Sequence, residues 1–387
     1  MPGRYLGLPK EDQVSIPTLV ERVRRWRIFA DRAQAKATMT PGRLTELCRR
    51  IGVTRVASST LLDRIGIPTA YAVRPTALHP SAIFSSGKGM SQMNAGLTAV
   101  FESYERWSAE RSYFRFIATT KQVAQQAGVL DFRLIVPEEI DEDREYGWSL
   151  GKDLVDNRIL AMPSDWVEFP PANRIGGRST TTGLAAHTDI GQAITSGLLE
   201  CIERHHTARL EVEALKRVDA LAAGPSLCLL ERFAANNIEV HCFLLAATAA
   251  CVVVYCFAFD HALRFPQAHC SGFAAAVDPQ QALMKALLEI AQGRAAFASG
   301  LRDDVVQAVR PKAFGDTDDT KQLLWLKRLR TVSAQATPKA EAPMQARETC
   351  VALKTSAAVD TIACFPLRQI FDYPAVRIIA PELDDCD

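Results

Sequence analysis

Three segments of the chain carry polar residues in the same spacing: Thr98, Glu102 and Glu105; Ser196, Glu200 and Glu203; Lys285, Glu289 and Gln292. Positions i, i+4 and i+7 fall in one line along a helix. The neighbours are mostly apolar: Val100, Phe101 and Tyr104; Leu198, Leu199, Cys201 and Ile202; Leu287, Leu288, Ile290 and Ala291. A helix apolar on most sides packs into a core, and a carboxylate carried in with it needs a partner or is driven neutral. A single Glu-x-x-Glu is ordinary on a solvated helix. Three copies in apolar settings point instead to a shared polyvalent cation. Oxygen-only donors favour Mg2+ or Ca2+, and a sparsely ligated Mg2+ usually also holds phosphates.

The elements that must position these stripes are legible from caps and periodicity. A helix starts near Ser15-Ile16-Pro17-Thr18 and runs to about Ala35, and Thr40-Pro41 opens another that ends near Ile51. A strand is expected at Thr69–Val73, then a loop holding Ser85-Ser86-Gly87-Lys88-Gly89. The first stripe helix follows, over about Asn94–Arg111. Strands are expected at Phe114–Thr119, Arg133–Val136 and Ile159–Met162. A glycine-containing loop, Arg174–Gly183, leads into the second stripe helix, about Gly191–Val212. Strands near 225–230, 238–246 and 251–258 precede Asp278-Pro279, which opens the third. Val332–Arg347 reads as a surface loop, and strands near Thr349–Leu353 and Val376–Ile379 close the chain. The pattern predicts a mixed α/β fold of α+β type: residues 1–36 as a helical extension, and 37–387 as one domain or two intertwined lobes.

Composition narrows the function. A formal net charge of +1 across 387 residues gives no global attraction to nucleic acid or anionic membrane. The run Glu21–Arg27 is a local exception. It reads as a solvated helix face, with nucleic acid or an acidic peptide as the alternative contact. The ten cysteines include no zinc spacing, and the N-terminus lacks the apolar core of a signal peptide, so reduced thiols and a cytoplasmic address are expected. Cys242–Phe259 is 18 residues without a charge. That touches the membrane threshold, but small and β-branched residues favour two buried strands joined near Ala247–Ala250.

Thr54-Arg55-Val56-Ala57, then Leu62-Asp63-Arg64-Ile65-Gly66-Ile67-Pro68, Gly87-Lys88-Gly89 and the three stripes, in that order, resemble the YcaO family over about residues 36–383. The resemblance implies an ATP-binding fold with three carboxylate-bearing helices around a central nucleotide site. It implies ATP with Mg2+, phosphorylation of a peptide amide oxygen, and displacement of phosphate by a nucleophile. A side-chain Cys, Ser or Thr gives an azoline, sulfide gives a thioamide, and an amine gives an amidine. On that basis Glu102, Glu105, Glu200, Glu203 and Glu289 are metal candidates. Gln292 and Arg294 are catalytic candidates that also contact nucleotide. Lys36, Thr40, Lys88, Thr98 and Ser196 complete the nucleotide set.

Thr182-Gly183-Leu184-Ala185 stands where the family has Asn-Gly-Leu-Ala, His187-Thr188 where it has Gly-Asn, and His205 where it has Asp. Thr54–Pro68 looks most like TfuA-associated members, and the terminal residues lack the proline-rich tail of many azoline-forming ones. Both favour a thioamide. The expected partners are a precursor peptide, a TfuA-like or E1-like protein and a second copy of the chain, with no nucleic acid and no membrane. The rival readings are a small-molecule ligase or kinase and a non-catalytic ATP-binding accessory protein.

Overall fold

The computed structural model of the chain describes residues 14–26, 39–126, 128–129, 141–172, 180–218, 222–248, 251–263, 268–300, 320–333, 348, 350–352 and 359–383. The helices are α1 Ile16–Arg25, α2 Pro41–Ile51, α3 Gln92–Ala109, α4 Thr120–Ala124, α5 Ser164–Val167, α6 Ile190–Ala208, α7 Pro225–Ala235, α8 Pro279–Ser299 and α9 Thr320–Arg330. The strands are β1 Arg55–Ser58, β2 Thr69–Val73, β3 Phe84–Lys88, β4 Arg115–Thr119, β5 Gly128–Val129, β6 Glu145–Asp153, β7 Ile159–Pro163, β8 Leu184–Ala186, β9 Lys216–Arg217, β10 Ile238–Ala247, β11 Val252–Asp260, β12 His269–Ala276, β13 Ala363–Pro366 and β14 Ala375–Ile379. The architecture is the expected mixture of helices and several sheets. Lys36 and the strand expected at Arg133–Val136 lie outside the described residues, as does most of the loop expected at Val332–Arg347.

The chain divides into two units, the first comprising Met1–Met39, Glu105–Cys201 and Gln345–Asp387, the second Thr40–Tyr104 and Ile202–Met344. The first is built on a sheet in the order β5-β7-β6-β13-β14-β8, with β4 also on β6. Strand β6 is long enough to serve three partners: Glu145–Ser149 pair with β4, Trp148–Lys152 with β7, and Lys152 and Asp153 with β13. Helix α1 turns Leu19, Val20 and Val23 onto Phe114, Phe116 and Trp148 of this sheet. Lys152 Nζ donates to the carbonyls of Arg24 (3.1 Å) and Trp26 (2.7 Å), so a cation meets the open end of the helix.

The second unit holds an antiparallel sheet in the order β12-β11-β10-β9 and a three-stranded sheet β1-β2-β3. Here the uncharged run is explained. It is the β10–β11 hairpin, buried on both faces. Cys242, Val252, Val254 and Cys256 pack with Phe233 of α7 and with Leu283 and Leu287 of α8. The alternate residues Phe243, Tyr255 and Phe257 pack with Leu326 and Leu329 of α9. Phe243 lies opposite Tyr255, and Tyr255 opposite Phe273. Their rings stack at 5.9 and 4.8 Å, a cross-strand ladder that fixes register. Among the described residues no helix is long and apolar enough to cross a membrane.

Several expected elements change. Residues 225–230 are helical, not a strand: Pro225 occupies the first turn and Ser226, Leu229 and Phe233 turn inward at helical spacing. Their short apolar run imitates a strand because both kinds of element bury such runs. Cys350, Val351 and Ala352, expected in a strand, are also helical. Ser85–Lys88 belong to β3 rather than to a loop. Strands β6, β8, β12 and β13 were not anticipated.

Glu239 ties β10 to α9. It accepts from Arg330 Nε (2.8 Å) and Nη2, from His241 Nε2 (2.6 Å) and from His261 Nε2 (2.9 Å). The Arg330 hydrogen bonds are the largest influence, holding its carboxyl at about 2 instead of 4.5. Glu239→Gln should destabilise the protein by about 1–3 kcal/mol at neutral pH. A depressed carboxyl stabilises above its unfolded value and loses that contribution as pH falls toward its folded value. Urea midpoints of the two proteins should therefore converge between about pH 4.5 and 2. A gap that stays constant through that window would refute the assignment.

Candidate active site

All three stripes lie on helices, on α3, α6 and α8. They share one burial profile. Thr98, Ser196 and Lys285 are exposed, whereas Glu102, Glu105, Glu200, Glu203, Glu289 and Gln292 are half-buried. The carboxylates thus sit where water is scarce without being sealed from it. On α8, Leu283, Ala286, Leu287, Ile290 and Ala291 are buried around the stripe.

In the second unit the α8 stripe meets β3, and Glu203 of α6 meets β12. Gly87 permits this, since a Cβ there would stand 2.0 Å from the Ala95 carbonyl oxygen and 2.3 Å from the Ala99 nitrogen. The strand therefore lies flat on α3. Its residues on either side of Gly87 each take one stripe residue of α8. Lys88 Nζ donates to Glu289 Oε2 at 3.2 Å. Gln292 Nε2 donates to the Ser86 carbonyl (3.0 Å) and hydroxyl (2.7 Å). From α6, Glu203 accepts from the Ala275 amide at 3.3 Å. Burial raises the Glu203 carboxyl and the charge of Glu289 raises it further. Its neighbour Lys285 is exposed overall, yet partial burial of its ammonium group, and then the charge of Lys88, lower it. Two ammonium groups and two carboxylates therefore lie near one another at the solvent boundary.

The donor chemistry discriminates between cations. Among the described residues no group of three or more His, Cys, Asp or Glu side chains is gathered to hold a metal. Ca2+ takes six to eight oxygens. Mg2+ is commonly held by one or two carboxylates, with water and phosphate oxygens completing its shell. Glu203 and Glu289 fit that role, and a cation between them would relieve their repulsion.

In the first unit Glu200 Oε2 accepts from the Gly183 amide at 3.2 Å. Gly183 has φ +79°, and a Cβ on it would lie 2.1 Å from the Ile378 carbonyl oxygen. Only glycine allows this turn to settle on α6 and β14. Glu105 continues the α3 stripe. The end of α3 is held by Arg368, which stacks on Trp107 at 3.7 Å and bonds Glu110. Two other candidates are occupied locally: Thr98 Oγ1 donates to the Asn94 carbonyl at 2.9 Å, and Thr40 caps α2 by accepting from the Arg43 amide at 3.2 Å. His205 Nδ1 lies 2.7 Å from Arg209 Nη1 on the same helix.

Arg294 is placed differently from the stripe. It is buried, with Nε and Nη2 on Asp63 (2.8 and 3.2 Å) and Nη2 also on Asp260 (2.9 Å). Arg64 Nη2 reaches the other Asp260 oxygen at 2.7 Å. Burial pushes the Asp260 carboxyl up, but hydrogen bonds from Arg64, the Ala262 amide and Arg294 outweigh it and leave it below the usual range. Asp63 and Arg64 belong to the quoted signature, yet sequence alone assigned them no role. Nothing in the sequence marks Asp260, at the end of a strand, as their partner.

The profile of the YcaO family, described as an ATP- and Mg2+-binding cyclodehydratase, matches residues 86–384. An uncharacterized protein of Methanothermobacter thermautotrophicus is 35% identical over 67% of this chain and 69% of its own. An uncharacterized protein from the tfuA 3' region of Rhizobium leguminosarum bv. trifolii is 28% identical over 66% of this chain and 65% of its own. Among solved structures, YcaO from Methanopyrus kandleri bound with AMPPCP and Mg2+ superposes with TM-score 0.68 at 23% identity, covering 88% of both chains. The Escherichia coli microcin synthetase McbBCD complex with pro-MccB17 bound gives 0.61 at 14% identity, over 84% of this chain and 87% of that one.

Arg294→Ala would leave Asp260 buried and Asp63 nearly so, each short of a partner, and should destabilise the fold by about 3–5 kcal/mol. Arg294→Lys should recover only part, since an ammonium cannot span both carboxylates as a guanidinium does. Denaturant unfolding checks this. An unchanged midpoint for Arg294→Ala would show that the cluster does not hold the second unit together.

Proposed function

We propose, from the premise that the chain belongs to the YcaO family of ATP- and Mg2+-binding cyclodehydratases, that it phosphorylates a backbone amide of a peptide and replaces the amide oxygen with sulfur. The observation that carries this reading is the pairing of Glu203 with Glu289. Two half-buried carboxylates from helices far apart in sequence are set beside Lys88 and Lys285. Acidic ligands for a cation and basic groups for phosphate are what phosphoryl transfer requires of a protein, since that chemistry is mostly positioning and charge neutralisation.

An amide carbonyl is a weak electrophile with a poor leaving group. Its oxygen attacks the γ-phosphorus of ATP and ADP leaves. Sulfide then adds to the activated carbon, and phosphate departs with the former amide oxygen. Bound Mg2+ would neutralise phosphate charge. Glu203 and Glu289 would hold it, and Glu102, Glu105 and Glu200 are proposed as further Mg2+ ligands. Lys88 and Lys285 would face the phosphates, and Gln292 would orient them from its seat on Ser86. Thr98 and Ser196 lie one turn before the glutamates and are proposed as nucleotide contacts, with Lys36 and Thr40. Arg294 acts by fixing Asp63 and α8.

The sulfur branch is supported by Thr54–Pro68, which looks TfuA-associated, and by the relative from a tfuA region. The second reading is an azoline, formed when a Cys, Ser or Thr side chain of the substrate displaces phosphate. It is supported by the family's description as cyclodehydratases. Either product calls for a precursor peptide, a TfuA-like or E1-like partner, and a cytoplasmic setting with ATP. A homodimer belongs to the same reading.

Mg2+-ATP at a hundredfold excess over Kd should stabilise the fold by about 2.7 kcal/mol, and ATP with chelator much less. Glu203→Gln should remove the difference without unfolding the protein. Equal melting shifts with and without Mg2+ would refute metal-bridged binding.

Heavy-oxygen labelling tests the chemistry. A substrate peptide labelled at the target carbonyl should pass its label to inorganic phosphate. A small-molecule kinase or a non-catalytic nucleotide binder would not transfer it. Product mass then separates exchange of oxygen for sulfur from loss of water. Product formed with unlabelled phosphate would overturn amide-oxygen phosphorylation.

A further inference from the structure

The basic run at Glu21–Arg25 takes no part in this chemistry, yet it forms one wall of a groove within the first unit. Two concavities of about 420 and 430 Å³ adjoin there, and Arg22 and Arg25 line both. The first continues over Trp26, Tyr113, Leu367 and Pro374. Its aromatic wall is fixed from behind, because Trp26 and Tyr113 each stand edge-on to the buried Phe114, at 6.3 and 4.9 Å. Tyr113 is nonetheless 57% exposed, an aromatic ring presented to solvent. The charge is one-sided. Among the described residues that line the groove Glu21 is the one carboxylate, and it bonds Arg25 at 2.9 Å and lies 3.8 Å from Arg24.

We propose that the groove binds an extended acidic segment of the substrate peptide, away from the amide that is changed; the choice of the substrate as occupant rests on the peptide-modifying reading above. A carboxylate of the segment meets Arg22 and Arg25, and an adjacent apolar side chain lies against Trp26, Tyr113 and Leu367. Adjoining concavities of this size accept successive side chains of one extended strand, whereas a folded partner presents a broader face. Pro366, Leu367 and Pro374 flank the aromatic rings with aliphatic surface that suits peptide side chains.

The test uses the full chain without ATP and a fluorescein-labelled probe, Glu-Leu-Asp-Phe-Glu-Leu-Asp, read by fluorescence anisotropy. Its counterpart carries Lys at every acidic position, and an oligothymidylate serves as competitor. The acidic probe should bind at least tenfold more tightly than the basic one. Arg22→Glu with Arg25→Glu, both on the exposed face, should reverse that preference while circular dichroism stays unchanged. Tyr113→Ala should weaken the acidic probe without changing the preference. Equal binding of the two probes, indifference to the double charge reversal, or displacement by oligothymidylate would each overturn the proposal. These readings need no turnover, so their failure leaves the label-transfer test intact. Conversely, acidic peptide bound in the groove with no label reaching phosphate would refute the chemistry alone.

Discussion

The constraint on which the site depends is that two carboxylates cannot share a water-poor space without compensation. Burial disfavours the charge of Glu203, and the carboxylate of Glu289 disfavours it further. Lys88 answers part of this through its 3.2 Å contact with Glu289. Lys285 answers less, because burial and Lys88 disfavour its own charge. The cluster is consequently poised rather than settled. A divalent cation lowers the energy of the carboxylates, and an anion such as phosphate lowers that of the ammonium groups. The two ligands favour each other's binding through the same charges, which is a physical reason for a nucleotide to enter together with its metal.

Such an arrangement needs side chains from a strand and two helices held to a few tenths of an ångström. The fold achieves this by bringing backbones closer than a Cβ allows. Gly87 lays β3 on α3, and Gly272 does the same for β12 on α8, where a Cβ would stand 2.1 Å from the Ala286 carbonyl oxygen. With the backbones this close, the registers follow. Gly87 faces α3, so its neighbours Ser86 and Lys88 face the other way and meet Gln292 and Glu289. Side-chain position is thus set by sheet pleat and glycine contact, not by long flexible reach.

The legible part of the molecule was the part with local periodicity. The stripes declared their helices because i, i+4 and i+7 is a helical spacing whatever the surroundings. The limits of α2 were plain from Thr40, Pro41 and Gly52. The Cys242–Phe259 hairpin could be read because both faces are buried, leaving no charged residue anywhere along it. Residues 225–230 failed for the complementary reason: a short apolar run looks alike in strand and helix, and the inward residues became clear only with Phe233 included. The Gly87-Lys88-Gly89 segment was read as a loop because glycines usually mark one. Here Gly87 marks a close approach inside a strand. Long-range pairing was illegible. No local pattern joins Arg294 to Asp63 or Asp260, which lie 231 and 34 positions away.

That last pairing changes what Arg294 can mean for function. An arginine beside a stripe of candidate metal ligands invites a role on phosphate, but two carboxylates already hold its Nε and Nη2. The cluster joins α8 to the end of β11 and to the turn after β1. It therefore fixes the rotation of α8, which decides where Glu289 and Gln292 point. Loss of activity in an Arg294 variant would not by itself reveal a phosphate contact, because misplacing Glu289 by about an ångström disrupts the same charge balance. In this fold Arg294 anchors the helix that carries Glu289 and Gln292.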